Sequence, residues 1–331
     1  MHVSSFLLAM KNIDIKNYLL TEEKCDFEGV VSDQVISFRS VKPLNIWKAN
    51  KKLKTFLQEL KPDVIHIHQV NRLAYFVSRI AEKLKIPVVT TAWGSDVLLI
   101  PQKNAFFHFI VKQTLKRSFV VTADSSDMIS AMQIIFKGDK YVLLQYGIDS
   151  ILAEKKEKII FSNRMHKPLY RIDAVINYFN DFSKSHTDWQ LIVGGTGSET
   201  EQLKQQVETL ELTEKVTFVG WLQKAENDEW YAKSTVYISI PESDGTSVSV
   251  LEAMSAGCIP VVADLPVSKE WIRSGENGVI EKMGENPLEQ AMTIDIEKCI
   301  KINSKLINEK ASRRASIQRF LEIYKLAVNG K

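Results

Sequence analysis

Short runs of β-branched residues alternate with segments of helical periodicity along most of this chain. Such alternation is typical of parallel sheets that are covered by helices. It occurs twice, which predicts an α/β protein with two parallel sheets. The predicted strands are residues 63–68, 86–93, 118–123 and 140–149 in the first series, and residues 158–163, 189–195, 215–220, 234–240 and 258–263 in the second. Helices are predicted in the first series over residues 45–60, 70–84, 104–117 and 125–136.

The length of the chain predicts more than one domain. A chain of 331 residues exceeds what a single hydrophobic core usually supports. We expect a first domain over residues 1–153 and a second over residues 154–310, with a hinge near residues 151–157. Residues 311–331 are expected to form a final helix.

Composition excludes several classes of protein. With 45% hydrophobic and 25% charged residues, the chain is expected to be soluble and globular. No apolar run approaches the roughly 20 residues that cross a bilayer, and no targeting peptide is evident. Cys25, Cys258 and Cys299 are odd in number and far apart, which argues against disulfides or zinc and favours the cytoplasm. Nucleic acid is not an expected partner, because no compact basic block with interleaved aromatics occurs.

A turn of small residues leads into a helix within residues 241–263, PESDGTSVSVLEAMSAGCIPVVA. If the helix starts near Thr246 or Ser247, the N–H groups of residues 245–249 face outward at the positive end of the helix dipole, where a diphosphate could bind. Asp244 and Glu252 could then accept hydrogen bonds from sugar hydroxyls at either end of that diphosphate. The pattern indicates a nucleotide-sugar site. The alternative is a buried αβ unit in which Ser and Thr only cap the helix.

The same stretch carries a family resemblance. LEAMSAG followed by IPVVA reads as an apolar helix, a glycine stop and a buried strand. The whole resembles the signature of the retaining, family-4 type glycosyltransferases of GT-B fold, the glycosyl transferases group 1. The resemblance implies two Rossmann-like domains that face a cleft, with the acceptor bound by residues 1–153 and the donor by residues 154–310. It also implies that residues 311–331 cross back to the first domain.

The resemblance assigns positively charged residues to the donor diphosphate. Arg164 and Lys167 follow a predicted strand, where the family has an Arg and a Lys on the diphosphate. By spacing, Tyr170 or Arg171 lies nearer the usual lysine position. Charge-assisted hydrogen bonds from such residues would stabilise the leaving nucleotide.

Two further strand ends resemble donor-binding loops. Gly195 and Gly197 lie where the family has a Gly-x-Gly loop, and glycines allow the backbone to approach a ligand closely. Gly220 and Trp221 lie where relatives hold the nucleobase. Trp221 could stack on the base or fill the core, and the core is the favoured interpretation.

In the first domain, candidate acceptor-side residues are His68, Trp93, Gly94 and Ser95. Trp93 stands where relatives commonly have a histidine that touches the transferred sugar, which leaves Asp96 as the nearest polar candidate. Residues 2–6, HVSSF, resemble the second half of a first strand. The glycine-rich turn that usually follows is replaced by LLAMKNIDIKNYLL.

The resemblance implies transfer of a sugar from a nucleoside-diphosphate sugar to a hydroxyl of a glycan or lipid-linked acceptor, with retention, in surface polysaccharide synthesis such as O-antigen or capsule. Candidate catalytic residues are Asp244, Arg164 and Asp96, and Glu252 would bind the ribose. No Asp-x-Asp pair ends a strand, so neither a metal nor a cofactor is expected. Arg164 and the segment Gly245, Thr246 and Ser247 would instead stabilise the leaving charge.

Two other functions remain open at this stage. The first is epimerisation or hydrolysis of the nucleotide sugar on the same fold, although extra carboxylates and histidines around the sugar are not obvious. The second is a binding subunit that keeps the donor pocket without catalysis. Residues 46–61 and 104–119 interleave aromatics with lysines, which is typical of helices lying on a membrane and also of helices packed on a sheet. We expect a cytoplasmic protein with a peripheral contact to the inner face of the plasma membrane.

Overall fold

The computed structural model describes residues 2–11, 13, 15–25 and 27–330, and the chain divides into two compact units. The first unit joins residues 1–147 to residues 313–331, and the second spans residues 148–312. The chain therefore leaves the first unit before the expected boundary at residue 153. The final helical segment belongs to the first unit from Arg313 onward.

The first unit is built on a parallel sheet. Its elements before residue 147 are α1 (His2–Met10), β1 (Tyr18–Thr21), β2 (Ser32–Val35), α2 (Pro43–Leu60), β3 (Ile65–His68), α3 (Arg72–Leu84), β4 (Val88–Thr91), α4 (Ser95–Leu98), α5 (Ile100–Lys103), α6 (Ala105–Arg117), β5 (Val120–Ala123), α7 (Ser126–Ile135) and β6 (Tyr141–Leu143). The sheet has the order β3-β4-β5-β6 with every pair parallel, and β1 pairs in parallel with β2. Strands β3 to β6 and helices α2, α3, α6 and α7 match the first predicted series, whereas β1, β2, α4 and α5 were not predicted.

Polar side chains start three of these helices. Asn71 accepts a hydrogen bond from the N–H of Ala74 at the start of α3, and Asn104 accepts one from Phe107 at the start of α6. An Asn or Ser at this position satisfies one of the free N–H groups of the first turn. Ser125 does the same for α7.

The prediction of a first strand at residues 2–6 was wrong, because this segment begins helix α1. HVSSFLLAM is a short, mostly apolar run, and its periodicity alone does not separate a buried helix from a strand. The helix buries Phe6, Leu7 and Met10. Phe6 packs edge-on against Phe320 with ring centroids 5.0 Å apart.

The second unit is a doubly wound α/β domain. Its elements are β7 (Glu157–Ser162), a 3-10 helix (Pro168–Tyr170), α8 (Ile172–Phe182), β8 (Gln190–Gly194), α9 (Thr200–Thr209), β9 (Val216–Gly220), α10 (Lys224–Lys233), β10 (Ser234–Ser239), α11 (Val248–Ser255), β11 (Ile259–Val262), α12 (Pro266–Trp271), β12 (Val279–Ile280), α13 (Pro287–Ala291) and α14 (Ile296–Lys310), after which α15 (Arg313–Asn329) belongs to the first unit. The parallel sheet has the order β12-β11-β10-β7-β8-β9. Counted within the unit, this is the Rossmann strand order.

Both faces of the second sheet are buried. Ile160 of β7 lies in one core with Ile172, Ile176 and Phe179 of α8, whereas Phe161 lies in the core on the opposite face. The spacing of the three α8 residues places them on one side of the helix. Burial of each such side chain contributes roughly 1.5–3 kcal/mol. Strands with both faces covered read as continuous apolar runs, which explains why the sequence predicted them.

Two helices of the first unit carry exposed aromatic side chains. Phe106 and Phe109 of α6 are 57% and 48% exposed, and Trp47 of α2 is 59% exposed. The ammonium of Lys51 lies 5.7 Å from the centroid of the Trp47 ring. Across the described ranges, no helix combines the length and the apolar character of a membrane span.

Candidate active site

The functional candidates of the second unit meet at one point of its sheet. β7 and β10 are neighbours, but β8 lies on the far side of β7 and β11 lies on the far side of β10. The crossovers therefore run in opposite directions from this pair, and such a switch point leaves a crevice at the carboxyl ends of the strands. Asn163 and Arg164 follow β7 there, and Asp244 lies in the loop between β10 and α11.

Arg164 organises this crevice, and its side chain is only 12% exposed. Its Nη2 donates to Oδ2 of Asp244 at 2.8 Å, and its Nη1 donates to Oγ of Ser247 at 2.5 Å and to Oγ of Ser249 at 3.1 Å. The ring of Tyr170 lies beneath the guanidinium, with 4.5 Å between Cζ and the ring centroid. The structure thus joins two segments that lie 80 residues apart in sequence.

Burial and pairing act in opposite directions on these two charges. Burial disfavours the charged guanidinium, but Asp244 and two neighbouring tyrosines outweigh this and raise the pKa of Arg164. Burial raises the pKa of Asp244, and the attraction of Arg164 only partly offsets it. Burial thus disfavours both charges, and their pairing counteracts it.

The N-terminus of α11 lies beside the Arg164 side chain. Ser247 is the N-cap residue, yet it makes no side-chain capping bond within the described part of the chain. Its hydroxyl is instead directed to Arg164 and lies 2.8 Å from Oγ of Ser249. The first N–H groups of a helix have no partner within the helix, and within the described residues the Ser247 side chain does not cap them. Thr246, which precedes Ser247, is buried, with 7% of its surface exposed.

A pocket adjoins this loop on the side of β11 and α12. Its walls combine the residues of the turn with apolar side chains. Its lining includes Asp244, Gly245, Thr246, Ser247, Val262, Ala263, Val267 and Trp271.

A buried polar network holds the start of the Arg164 loop. The amide of Asn163 donates to Oδ1 of Asn227 at 2.8 Å and to the hydroxyl of Tyr231 at 2.7 Å. The hydroxyl of Tyr237 donates to Oδ1 of Asn163 at 2.8 Å. Burial raises the pKa of Tyr237 to about 12, so its hydroxyl keeps the proton that it donates. Asn163 is thereby fixed on both sides, and the backbone leading to Arg164 with it.

The glycine loop supports Arg164 directly. A Cβ at Gly195 would lie 2.4 Å from the carbonyl oxygen of Arg164, and one at Gly197 would lie 2.2 Å from that of His166. These glycines therefore allow close approach of the protein's own backbone, and not only of a ligand as the sequence suggested. His166, which no sequence pattern indicated, is 1% exposed, and its Nδ1 lies 2.9 Å from Oγ1 of Thr200.

The structure separates the alternatives for a second basic residue. Lys167 is exposed and Arg171 is bound elsewhere, through bidentate contacts to Glu281 at 2.9 and 3.0 Å. Tyr178 donates to the same carboxylate at 2.7 Å. Arg171 therefore links α8 to the end of β12, whereas Tyr170 stacks on Arg164. An aromatic ring occupies the place that spacing suggested for a lysine.

The remaining donor candidates surround the start of α11 and the end of β9. The side chain of Glu252 is 15% exposed, and its Oε1 lies 3.8 Å from Nζ of Lys224. Gly220 has φ +70°, which favours glycine. Trp221 is 56% exposed, so the interpretation of this residue as core was wrong.

Asp96 of the first unit serves the backbone. It is 2% exposed, and its two carboxylate oxygens accept from the N–H of Val70 at 2.7 Å and from that of Trp93 at 2.9 Å. Burial raises its pKa, and these N–H groups act in the opposite direction. Both oxygens are committed to the fold, so the expectation of a catalytic Asp96 does not fit the structure. Sequence alone could not show where the side chain points.

Trp93 and His68 share a hydrogen-bonded cluster at the carboxyl ends of β3 and β4. The indole Nε1 of Trp93 donates to the hydroxyl of Tyr146 at 3.1 Å, and Nδ1 of His68 lies 2.8 Å from the same hydroxyl. Burial lowers the pKa of His68 to about 4. Gly94 has φ +116° and begins α4, and Ser95 beside it is exposed.

Within the described residues, no group of three or more His, Cys, Asp or Glu side chains is arranged to hold a metal ion.

A doubly wound sheet with an arginine and a helix N-terminus at its switch point is typical of nucleotide-binding α/β proteins. Residues 148–312 match the family model "Glycosyl transferases group 1", and residues 1–125 match "Glycosyl transferase 4-like". The chain belongs to the group 1 glycosyltransferases and has the GT-B fold.

Known proteins resemble the chain at low identity. It is 26% identical over 260 residues to N-acetyl-alpha-D-glucosaminyl L-malate synthase of Bacillus anthracis, which covers 71% of this chain and 65% of that protein. The match thus spans less than two thirds of that relative. A glycosyltransferase from Rickettsia africae has a TM-score of 0.81 at 16% identity, covering 99% of this chain and 96% of that one. Anabaena HepE in complex with UDP and glucose has a TM-score of 0.79 at 14% identity, covering 98% and 95%. These two likenesses concern the fold.

Proposed function

We propose that the protein transfers a sugar from a nucleoside-diphosphate sugar to a hydroxyl group of a glycan or lipid-linked glycan, with retention of the anomeric configuration. The observation that carries this proposal is the cluster of Arg164, Asp244 and Ser247 at the N-terminus of α11, on the switch point of the sheet. Family membership supports it. We assign donor binding to residues 148–312 and acceptor binding to the first unit.

The diphosphate is proposed to take over the donors of Arg164. The guanidinium is paired with Asp244 at 2.8 Å. A doubly charged diphosphate is a stronger acceptor than one carboxylate, and the N–H groups of α11 add to its binding. Asp244, released from part of this pairing, then accepts hydrogen bonds from hydroxyls of the donor sugar. Glu252, in the second turn of α11, binds the ribose.

The chemical step follows from these positions. The acceptor hydroxyl oxygen forms a bond to the anomeric carbon, and the bond from that carbon to the phosphate oxygen breaks. The nucleoside diphosphate leaves with the electron pair and receives the proton of the acceptor hydroxyl. Negative charge grows on the departing phosphate, where Arg164 and the helix N-terminus stabilise it. We propose that the positive charge of Arg164 and of the helix N-terminus stabilises the leaving group without a divalent metal. Transfer should therefore persist in excess EDTA.

A direct assay separates this function from the alternatives. Purified protein is incubated with radiolabelled UDP-glucose or GDP-mannose and a membrane extract. Labelled lipid or glycan is the expected product. Free sugar or an isomerised donor would favour a hydrolase or an epimerase, and nucleotide binding without turnover would favour a binding subunit.

Two isosteric variants test the roles of the acids. Glu252→Gln is expected to raise the Kd for the nucleotide several-fold, because a ribose hydroxyl loses a charged acceptor. Asp244→Asn should mainly lower kcat. Glu297, exposed on α14, provides the matched control Glu297→Gln. Wild-type kinetics in both site variants would overturn the assignment of the site.

We further propose peripheral attachment to an anionic membrane through α6. Its side chains Phe106 and Phe109 are exposed, and Lys112 and Lys116 lie on the same helix. An interfacial helix inserts aromatic side chains into the headgroup layer while lysines contact anionic lipid. A surface of this kind suits an acceptor that is anchored in a bilayer. Surface polysaccharide synthesis is the process we propose for it.

A further inference from the structure

A groove of about 500 Å³ lies along helix α2 of the first unit, beside strand β2. Leu53 and Leu57 attach the opposite side of the helix to the core, where both are buried. The groove therefore lies on the outer side of α2. Its lining includes Gln34, Trp47, Lys48, Lys51, Lys52 and Glu59.

The groove is positively charged. Three lysines and one glutamate line it, which gives these side chains a net charge of +2. In the part of the chain that the structure describes, neither Lys48 nor Lys51 forms an ion pair with a carboxylate. Glu59 follows Lys52 by seven residues, about 10 Å along the helix axis. An anion at the lysine end would therefore meet ammonium groups without a competing carboxylate.

The protein itself holds two of these ammonium groups. Nζ of Lys52 donates to the carbonyl oxygen of Val35 at 3.0 Å. Nζ of Lys51 lies 5.7 Å from the centroid of the Trp47 ring, in a cation–π contact. Trp47 is 59% exposed. These contacts place two positive charges beside an exposed aromatic ring, and they reduce the side-chain freedom that is lost when a ligand binds.

Resting on the proposed function, which assigns the acceptor to the first unit, we infer that this groove binds an acceptor chain whose units are joined by phosphodiesters. Each phosphodiester is charged at neutral pH, and lysine binds phosphate as a point charge. Lys48 and Lys52 are four residues apart, about 6 Å along the helix axis, so they can contact neighbouring phosphates of one chain. The Trp47 ring offers apolar surface to the carbon atoms between them.

A bilayer is a less suitable occupant of this groove. An interfacial helix inserts an apolar face into the headgroup layer. In α2 the side chains of Leu53 and Leu57 are turned to the core, and the exposed large apolar side chains are Leu44 and Trp47, near the start of the helix. An extended anionic chain can follow a concave, lysine-lined surface that a flat lipid surface does not enter.

Fluorescence anisotropy of a labelled glycerol-phosphate hexamer measures this binding with a defined probe. We expect the wild type to bind the hexamer at least tenfold more tightly than maltohexaose, which is neutral. Hexagalacturonate, which is anionic but has no phosphate, should compete several-fold more weakly than the unlabelled hexamer. Equal competition by hexagalacturonate would overturn the assignment of a phosphodiester chain.

Variants locate the binding on α2. Lys48→Gln combined with Lys51→Gln should raise the Kd for the hexamer at least tenfold, because two charge-assisted contacts are lost. The slope of log Kd against log salt concentration should fall by roughly 1.4, since each phosphate contact of a single-stranded polyanion contributes about 0.7. Lys42→Gln combined with Lys54→Gln is the matched control, because it removes the same charge from exposed positions outside the groove. Trp47→Phe should keep the affinity that Trp47→Ala reduces.

Three results would contradict the inference. The first is an equal loss of affinity in both double variants, which would indicate general attraction to a basic surface. The second is no binding of the hexamer by the wild type. The third is that the wild type does not bind the hexamer while the Lys48 and Lys51 double variant loses binding to phosphatidylglycerol vesicles, which would indicate a bilayer contact. The Kd for UDP or GDP should be unchanged in every variant. Normal nucleotide binding without hexamer binding would remove this inference and leave the proposed function in place.

Discussion

Arg164 shows how one buried side chain can define a site. Its guanidinium contacts a carboxylate and two hydroxyls on one side and an aromatic ring on its face. These partners come from the 3-10 helix, from the loop before α11 and from the first turn of α11. The Tyr170 ring fixes the plane of the guanidinium, and we expect this to lower the entropic cost of binding the proposed diphosphate.

Removal of this side chain should abolish most donor binding. We expect Arg164→Ala to raise the Kd for UDP or GDP by at least tenfold, since a hydrogen bond to a charged group contributes about 1.5–3 kcal/mol. Isothermal titration calorimetry measures the change. Arg273 is 82% exposed in the same unit, and Arg273→Ala is the control. An unchanged Kd in Arg164→Ala would contradict the assignment of the site.

Asp96 should be important for stability rather than for chemistry. In Asp96→Asn, the amide group of the new side chain would face a backbone N–H that needs an acceptor. We expect a loss of about 1–3 kcal/mol in the free energy of unfolding, measured in urea. Nucleotide affinity should remain, because Asp96 lies in the other unit. Asp139→Asn, at an exposed position, is the control. Wild-type stability combined with lost transfer would instead indicate a catalytic role.

At the scale of elements, the glycine loop between β8 and α9 positions the arginine loop. Gly195 has φ +102° and donates to the carbonyl of Gly220 at 2.6 Å. The N–H of His166 donates to the carbonyl of Thr196 at 3.2 Å, and that of Glu199 donates to His166 at 3.0 Å. The two loops are therefore one backbone-bonded unit, and a change in either should move Arg164.

Gly195→Ala tests this coupling. Its Cβ would meet the carbonyl of Arg164 at 2.4 Å in a backbone conformation that disfavours alanine. We expect a cost of roughly 1–3 kcal/mol in stability and a rise of at least tenfold in the Kd for the nucleotide. At Gly138 the nearest atom to an added Cβ is 3.7 Å away, so Gly138→Ala is the control. Normal nucleotide affinity in Gly195→Ala would show that the loop does not position Arg164.

The sequence predicted the elements better than their contacts. The strand expected at residues 234–240 is observed at Ser234–Ser239, because its β-branched and aromatic residues are buried on both faces. The segment 2–6 was mispredicted because a short apolar run fits a helix equally well. The pairing of Arg164 with Asp244 depends on β7 lying beside β10. Local pattern does not reveal which strands are neighbours.

At the scale of the whole molecule, we propose that the second unit binds the donor and that helix α6 of the first unit contacts a membrane. Phosphatidylglycerol vesicles should bind the protein more tightly than phosphatidylcholine vesicles, and salt should weaken the binding. The double variant Phe106→Ser and Phe109→Ser is expected to reduce binding about tenfold in a sedimentation assay, because two aromatic anchors are lost.

The control for the membrane surface comes from the same unit. Ile134 of α7 is 86% exposed, and Ile134→Ser removes an exposed apolar side chain outside α6. It should leave vesicle binding unchanged. Equal binding of the wild type and the double variant would contradict attachment through α6, while leaving the donor site untouched.

The most direct test of the central claim is a crystal structure with the nucleoside diphosphate, UDP or GDP, that raises the melting temperature most. We predict phosphate oxygens within hydrogen-bonding distance of Arg164 and of the N–H groups at the start of α11, with the ribose hydroxyls at Glu252. A nucleotide bound at another strand end, with the Arg164–Asp244 pair intact, would contradict it.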